Sequence, residues 1–174
     1  MTVAAPTQIA RYRRPRMART WLEIKIVLEG GGGIDLDPPP GRTLIIGPGH
    51  SFEQLANAIN AAFARWDLSH LHEFGLAEGR RVGFPPEDFD DPQLRDHTEL
   101  RVLDELKPGD EFTYVFDLGD HWRHRCAVAP EKVDPLEVYG IRPERPVATW
   151  GWGWIPDQYG RVSESGADTP AEPA

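Results

Sequence analysis

The run from Phe112 to Val128 constrains this chain more than any other part of it. Phe112, Tyr114 and Phe116 alternate with Thr113 and Val115, and Trp122, His124, Cys126 and Val128 alternate with Arg123, Arg125 and Ala127. A period of two on both flanks of a short polar segment is the pattern of a β-hairpin with one buried face. Its tip, Asp117-Leu-Gly-Asp-His121, carries two carboxylates and an imidazole around one glycine. Such a tip either holds its own turn together or touches a ligand.

A second periodic segment lies near the start. Leu22, Ile24, Ile26 and Leu28 share one side, with Glu23 and Lys25 opposite, which predicts a half-buried strand. Glycines 30 to 33 and the segment from Pro38 to Gly41 mark a long connection, after which residues 42–46 form a second strand. Ser51-Phe-Glu-Gln54 has the form of a capping box. Leu55, Ile59, Ala62, Phe63 and Trp66 follow at helical spacing and predict an amphipathic helix of about four turns. Residues 70–74 read as a third strand and 80–84 as a short fourth, followed by an acidic loop from Pro85 to Pro92. Leu100, Leu103 and Leu106 point to a short helix or turn, and residues 107–110 to a tight turn before the hairpin. The segment from Val138 to Arg161 is rich in Trp, Gly and Pro and is expected to wrap the domain without regular structure. Two strands, a packed helix and further strands give an α+β fold of β-grasp-like order, with a mixed sheet and one main helix. A helix-poor barrel is the alternative.

One domain, residues 20–161, is expected between a basic arm at 1–19 and a compositionally disordered tail at 162–174. The single cysteine, Cys126, excludes an intramolecular disulfide and a cysteine-rich zinc site. No apolar run is long enough for a membrane span, and the first 19 residues carry no hydrophobic core of a secretory signal, so a cytoplasmic protein is expected. A net charge of −9 makes the body a poor binder of nucleic-acid phosphates. The arm reverses that sign locally. Arg11, Arg13, Arg14, Arg16 and Arg19 are the residues through which nucleic acid would be met, and a solvated leader is the simpler reading.

Three groups carry candidate chemistry. His70 and His72 stand two apart on a predicted strand, so they share a face, and His121, His124, Asp117 or Asp120 would complete a divalent-metal shell. Against this, His124 shares its side with Trp122 and Cys126, the place of a core histidine satisfied by one carbonyl. Asp117 and Asp120 form a potential acid/base pair. The competing reading is turn chemistry, in which aspartates cap backbone amides and Gly119 supplies a positive φ. Trp150-Gly-Trp-Gly-Trp154 places indoles on one side of an extended run, mostly buried with one or two at a groove edge. Cys126 sits mid-strand like an inert thiol, and no nucleophile elbow, P-loop or dinucleotide fingerprint is present.

The hairpin also carries a likeness. Tyr114-Val-Phe-Asp-Leu-Gly-Asp-His-Trp-Arg-His124 resembles the Tyr-x-Tyr-Asp-Phe-Gly-Asp-x-Trp-x-His signature of the plasmid pRiA ORF-three-like family. That family is also called the TnpR-like passenger family of an insertion element. Trp66-Asp-Leu-Ser-His-Leu-His-Glu-Phe74 is similar to its Trp-Asp-x-x-His-Leu-His-x-Phe segment, and the likeness extends over about residues 20–160. It implies an α+β domain without an established activity, with an association to mobile-element DNA transactions. A cysteine-bearing segment common near the family's C-terminus is replaced here by residues 152–160, which hold no cysteine. The positions that match are Trp66, His70, His72, Asp117, Gly119, Asp120, Trp122 and His124.

Together these residues define the candidate binding set of Trp66, His70, His72, Asp117, Asp120, His121, Trp122, His124, Trp150 and Trp152. The expected function is a binding or accessory domain for a protein or peptide partner. A metal-dependent hydrolase using His70, His72, Asp117 and Asp120 is the rival, and an accessory role in DNA transactions is the third reading. No cofactor is expected beyond a possible divalent metal.

Overall fold

The computed structural model describes residues 18–84, 91 and 93–161. Most of the basic arm, the acidic loop from Pro85 to Asp90 and the tail from 162 onward lie outside the described residues. The hairpin forms as the alternation requires. Strand β7 (Glu111–Phe116) pairs antiparallel with β8 (Trp122–Val128), placing Phe112 opposite Cys126, Tyr114 opposite His124 and Phe116 opposite Trp122. All six of these side chains are buried.

The rest of the sheet grows outward from this pair. Strand β1 (Leu22–Gly31) lies against β8, and a two-residue β2 (Ile34–Asp35) folds back on its end. Strand β3 (Gly41–Ile46) pairs with the other edge of β1. On the far side of β7 follow β4 (His72–Gly75), β5 (Arg81–Gly83) and β6 (Leu94–Asp96), the last in parallel to β5. Strand β9 (Val147–Trp152) pairs with β3, so the sheet runs β6-β5-β4-β7-β8-β1-β3-β9. It stays open, which sets the barrel alternative aside in favour of the α+β architecture.

Helix α1 (Phe52–Ala62) covers one face. Its capping box forms as predicted: the Ser51 hydroxyl accepts from the Gln54 amide at 3.2 Å, and the Ser51 amide donates to the Gln54 side chain at 2.9 Å. Leu55, Ile59 and Phe63 meet Leu22, Ile24, Ile26 and Leu28 in a single core. At the centre of that core the Tyr114 hydroxyl donates to Asn60 Oδ1 at 2.8 Å, so the one polar helix residue facing the sheet is satisfied. Two short α-helices follow among the described residues, α2 (Val102–Glu105) and α3 (Pro135–Tyr139).

Three expectations are corrected. The helix ends at Ala62 rather than near Trp66, because Ala64 turns into the left-handed region at φ 53°. Trp66 therefore lies in the following loop, 48% exposed. Strand β4 starts at His72, so His70 precedes it. The segment from Val138 to Arg161 is not wholly irregular: it contributes the end of α3 and the edge strand β9. Val147, Thr149, Trp150 and Trp152 favour extended backbone. Gly41 on β3 leaves the room that Trp152 fills, since a Cβ there would stand 2.0 Å from the indole. Residues 153–161 then run back as a strap across the C-terminal end of α1.

Candidate functional site

The hairpin tip, the loop after α1 and the strap meet at one end of the sheet. Asp117 stands at φ 59° and is buried. Its Oδ1 accepts from the amides of Gly119 at 3.0 Å and Asp120 at 3.3 Å, the bonding of an Asx turn. Its own amide donates to the Leu71 carbonyl at 2.8 Å, and the Gly32 amide donates to the Asp120 carbonyl at 2.7 Å. The tip is thus tied to both neighbouring loops. The positive φ expected at Gly119 falls instead on Asp117 and on His121, at 52°.

The other carboxylate oxygen of Asp117 lies 3.2 Å from His70 Nδ1. Across the imidazole, His70 Nε2 is 2.7 Å from the Tyr159 hydroxyl, which donates to Asp67 Oδ2 at 2.7 Å. The second Asp67 oxygen accepts from the Ser69 hydroxyl at 2.6 Å and from its amide at 3.1 Å. Bonds from Ser69 and Tyr159 hold the Asp67 carboxyl down at about 2, and the same carboxylate pushes the Tyr159 phenol up to about 12. Trp66 closes the group: its indole N–H donates to Asp157 at 3.2 Å, its ring meets Tyr159 edge-on at 5.1 Å, and Arg161 lies 3.9 Å over its face. Tyr159, Asp157 and Arg161 were not expected at the site. Their partners are about ninety residues away in the chain, and no local pattern marks them.

The structure separates the two histidines of the proposed metal shell. His70 turns to Asp117, whereas His72 Nε2 bonds to His97 Nδ1 at 2.9 Å on the core side of β4. Burial, with His97 second, lowers the His72 imidazole to about 4, and burial lowers His97 as well. Phe84 lies tilted against both rings, its centroid 4.8 Å from His72 and 4.3 Å from His97. Among the described residues no three His, Cys, Asp or Glu side chains gather as a metal shell would require. Asp120 is half-buried and contributes its carbonyl to the Gly32 bond, while His121 points outward.

His124 is a core histidine: Nδ1 donates to the Tyr114 carbonyl at 3.2 Å, and burial lowers the imidazole to about 3. Trp122 is buried beneath the Arg65 guanidinium, 4.2 Å from its ring. Cys126 is buried, and burial pushes its thiol well above the usual range, as an inert mid-strand thiol requires. The indoles of the Trp-Gly run depart from expectation. Trp150 is 69% and Trp154 45% exposed, and only Trp152 is half-covered, with Lys25 Nζ 5.3 Å from its ring. Gly153, at φ 77°, ends the extended run above Pro40, so Trp154 does not continue the face of Trp150 and Trp152.

Residues 21–146 match the sequence profile of the family described as plasmid pRiA4b ORF-3-like protein. The chain belongs to that family. Both motif segments, Trp66 to Phe74 and Tyr114 to His124, fall within the matched stretch. A crystal structure of a protein of unknown function from Methanosarcina mazei Go1, MM3350, has a similar fold. The TM-score is 0.55 at 22% identity, over 76% of this chain and 68% of that one. No curated protein matches the chain. The family is represented here by an α+β domain with one open sheet. Among the described residues no helix is long and apolar enough to cross a membrane.

Proposed function

We propose that this domain is a binding module that holds an extended segment of a protein partner along β9, beside the hairpin tip and the strap. The observation that carries the reading is Trp150, 69% exposed on an edge strand that pairs only with β3 among the described residues. Soluble proteins guard such edges with charges, prolines or bulges, because unpaired N–H and C=O groups accept a foreign strand. Strand β9, Val-Ala-Thr-Trp-Gly-Trp, has neither a charge nor a proline, although one bulge lies opposite Thr43 and Leu44. Strand addition supplies main-chain bonds while side chains on alternate positions give selectivity, and tryptophan is the residue most enriched at binding hot spots. Leu118 at the tip and Trp154 and Tyr159 on the strap, 42 to 45% exposed, extend the apolar surface at that end.

The arginine arm enters this reading little. Arg19, its one described arginine, pairs with Glu137 at 3.3 Å and Glu131 at 3.8 Å.

The test is selection of displayed random peptides on the wild-type domain, followed by titration of the selected sequences. Trp150→Ala is expected to weaken their binding at least tenfold with an unchanged melting temperature. Peptides that bind Trp150→Ala as tightly as wild type would refute the β9 assignment.

A further inference from the structure

Among the described residues, three buried side-chain atoms find no hydrogen-bond partner in the protein: Arg65 Nη1, Trp122 Nε1 and His124 Nε2. They are neighbours. Trp122 and His124 stand two apart on the core side of β8. The Arg65 guanidinium lies 4.2 Å from the Trp122 ring, and Phe63, whose carbonyl accepts from Arg65 Nε at 2.8 Å, meets the His124 ring edge-on at 4.8 Å. The three residues are 4%, 2% and 2% exposed.

We propose that Arg65, Trp122 and His124 form a binding site for one internal water molecule, which joins the end of α1 to β8 beneath the strap. Buried polar atoms are seldom left unpaired, and an internal water commonly makes about three bonds to such groups. The donor count decides the guest. Arg65 Nη1 and Trp122 Nε1 can only donate. His124 already donates through Nδ1 to the Tyr114 carbonyl, so its neutral ring presents a lone pair at Nε2. Two donors and one acceptor match a water that accepts twice and donates once. A simple anion would satisfy the donors but face the Nε2 lone pair. The low His124 value near 3 keeps that lone pair free at neutral pH.

The same guanidinium donates through Nη2 to the Pro156 carbonyl at 2.8 Å. The water therefore completes a set of bonds in which one arginine holds the helix end, the strap and β8. This site is independent of the partner-binding surface on β9.

The test is water-to-protein magnetisation transfer by NMR on uniformly labelled wild-type protein, with the Trp122 indole N–H assigned through bonds. A direct cross-peak from that proton to a long-lived water is expected, and it is expected to vanish in His124→Leu, where the acceptor is gone. Absence of the cross-peak in the wild type overturns the proposal. So does its displacement by inorganic phosphate with a moving indole resonance, which would make the guest an anion.

Discussion

A residue other than glycine at positive φ is strained unless its side chain offers something in return. The hairpin tip contains two such residues, Asp117 and His121. Asp117 recovers the cost locally, because its Oδ1 bonds two amides of its own turn while its other oxygen reaches His70. Asp117→Ala keeps the strained backbone and leaves those amides without their acceptor, so a loss of about 1–3 kcal/mol is expected. Asp117→Asn keeps a carbonyl oxygen for the turn and tolerates the left-handed region, losing only the charge opposite a part-exposed His70. Its cost should stay below about 1 kcal/mol. Urea unfolding of the two variants checks this. Equal losses would mean that the charge, rather than the turn, holds the tip. The sequence pointed to aspartate capping here, but it assigned the positive φ to Gly119. The ladder of β7 and β8 fixes where the chain must reverse, and that placed the unusual dihedrals on the residues flanking the Leu-Gly-Asp centre.

Among the elements, β9 depends on a missing side chain. The Trp152 indole occupies the space above Gly41, where a Cβ would stand 2.0 Å from the ring. Gly41→Ala must push the indole away and loosen the outer strand. Faster amide hydrogen exchange is expected across β9, with α1 and β7 remaining protected; unchanged protection of β9 would remove Trp152 from its stabilising role. This dependence also shows why some elements were legible and others were not. The capping box of α1 and the hairpin alternation are written within a few neighbouring residues. Strand β9 becomes a strand only because β3, more than a hundred residues earlier, presents Gly41 and Thr43 to Trp152 and Trp150. The candidate site divides in the same way. The meeting of His70 with Asp117 was within reach of the motifs, since each residue lies in one of the two matched segments. The pairing of His72 with His97 was not, because His97 stands in an unpatterned polar stretch. The exposure of Trp150 was misjudged because tryptophan is usually buried, whereas an edge strand has only one covered side.

At the scale of the whole molecule, the buried histidines set the response to acid. Burial lowers His72 to about 4 and His124 to about 3, and lowers His97 in the same direction. In the unfolded chain these imidazoles would titrate near the ordinary value of about 6.5. Above that pH neither state binds the protons, and the fold keeps its full stability. As the pH falls below it, the unfolded chain takes up protons that the native interior refuses, so unfolding is favoured by about 1.4 kcal/mol per pH unit for each of His72 and His124. The slope should persist until the pH reaches about 4, where native His72 also protonates. Asp67, held down at about 2 by Ser69 and Tyr159, adds a loss in the same direction at lower pH still. Chemical denaturation between pH 7 and pH 4.5 is therefore expected to show a steady fall in stability. His72→Gln, which can keep a hydrogen bond to His97 but cannot titrate, should flatten that fall by the share of one imidazole. A His72→Gln variant with the wild-type slope would place the acid sensitivity elsewhere, with His97 and His124 the other buried imidazoles that burial lowers.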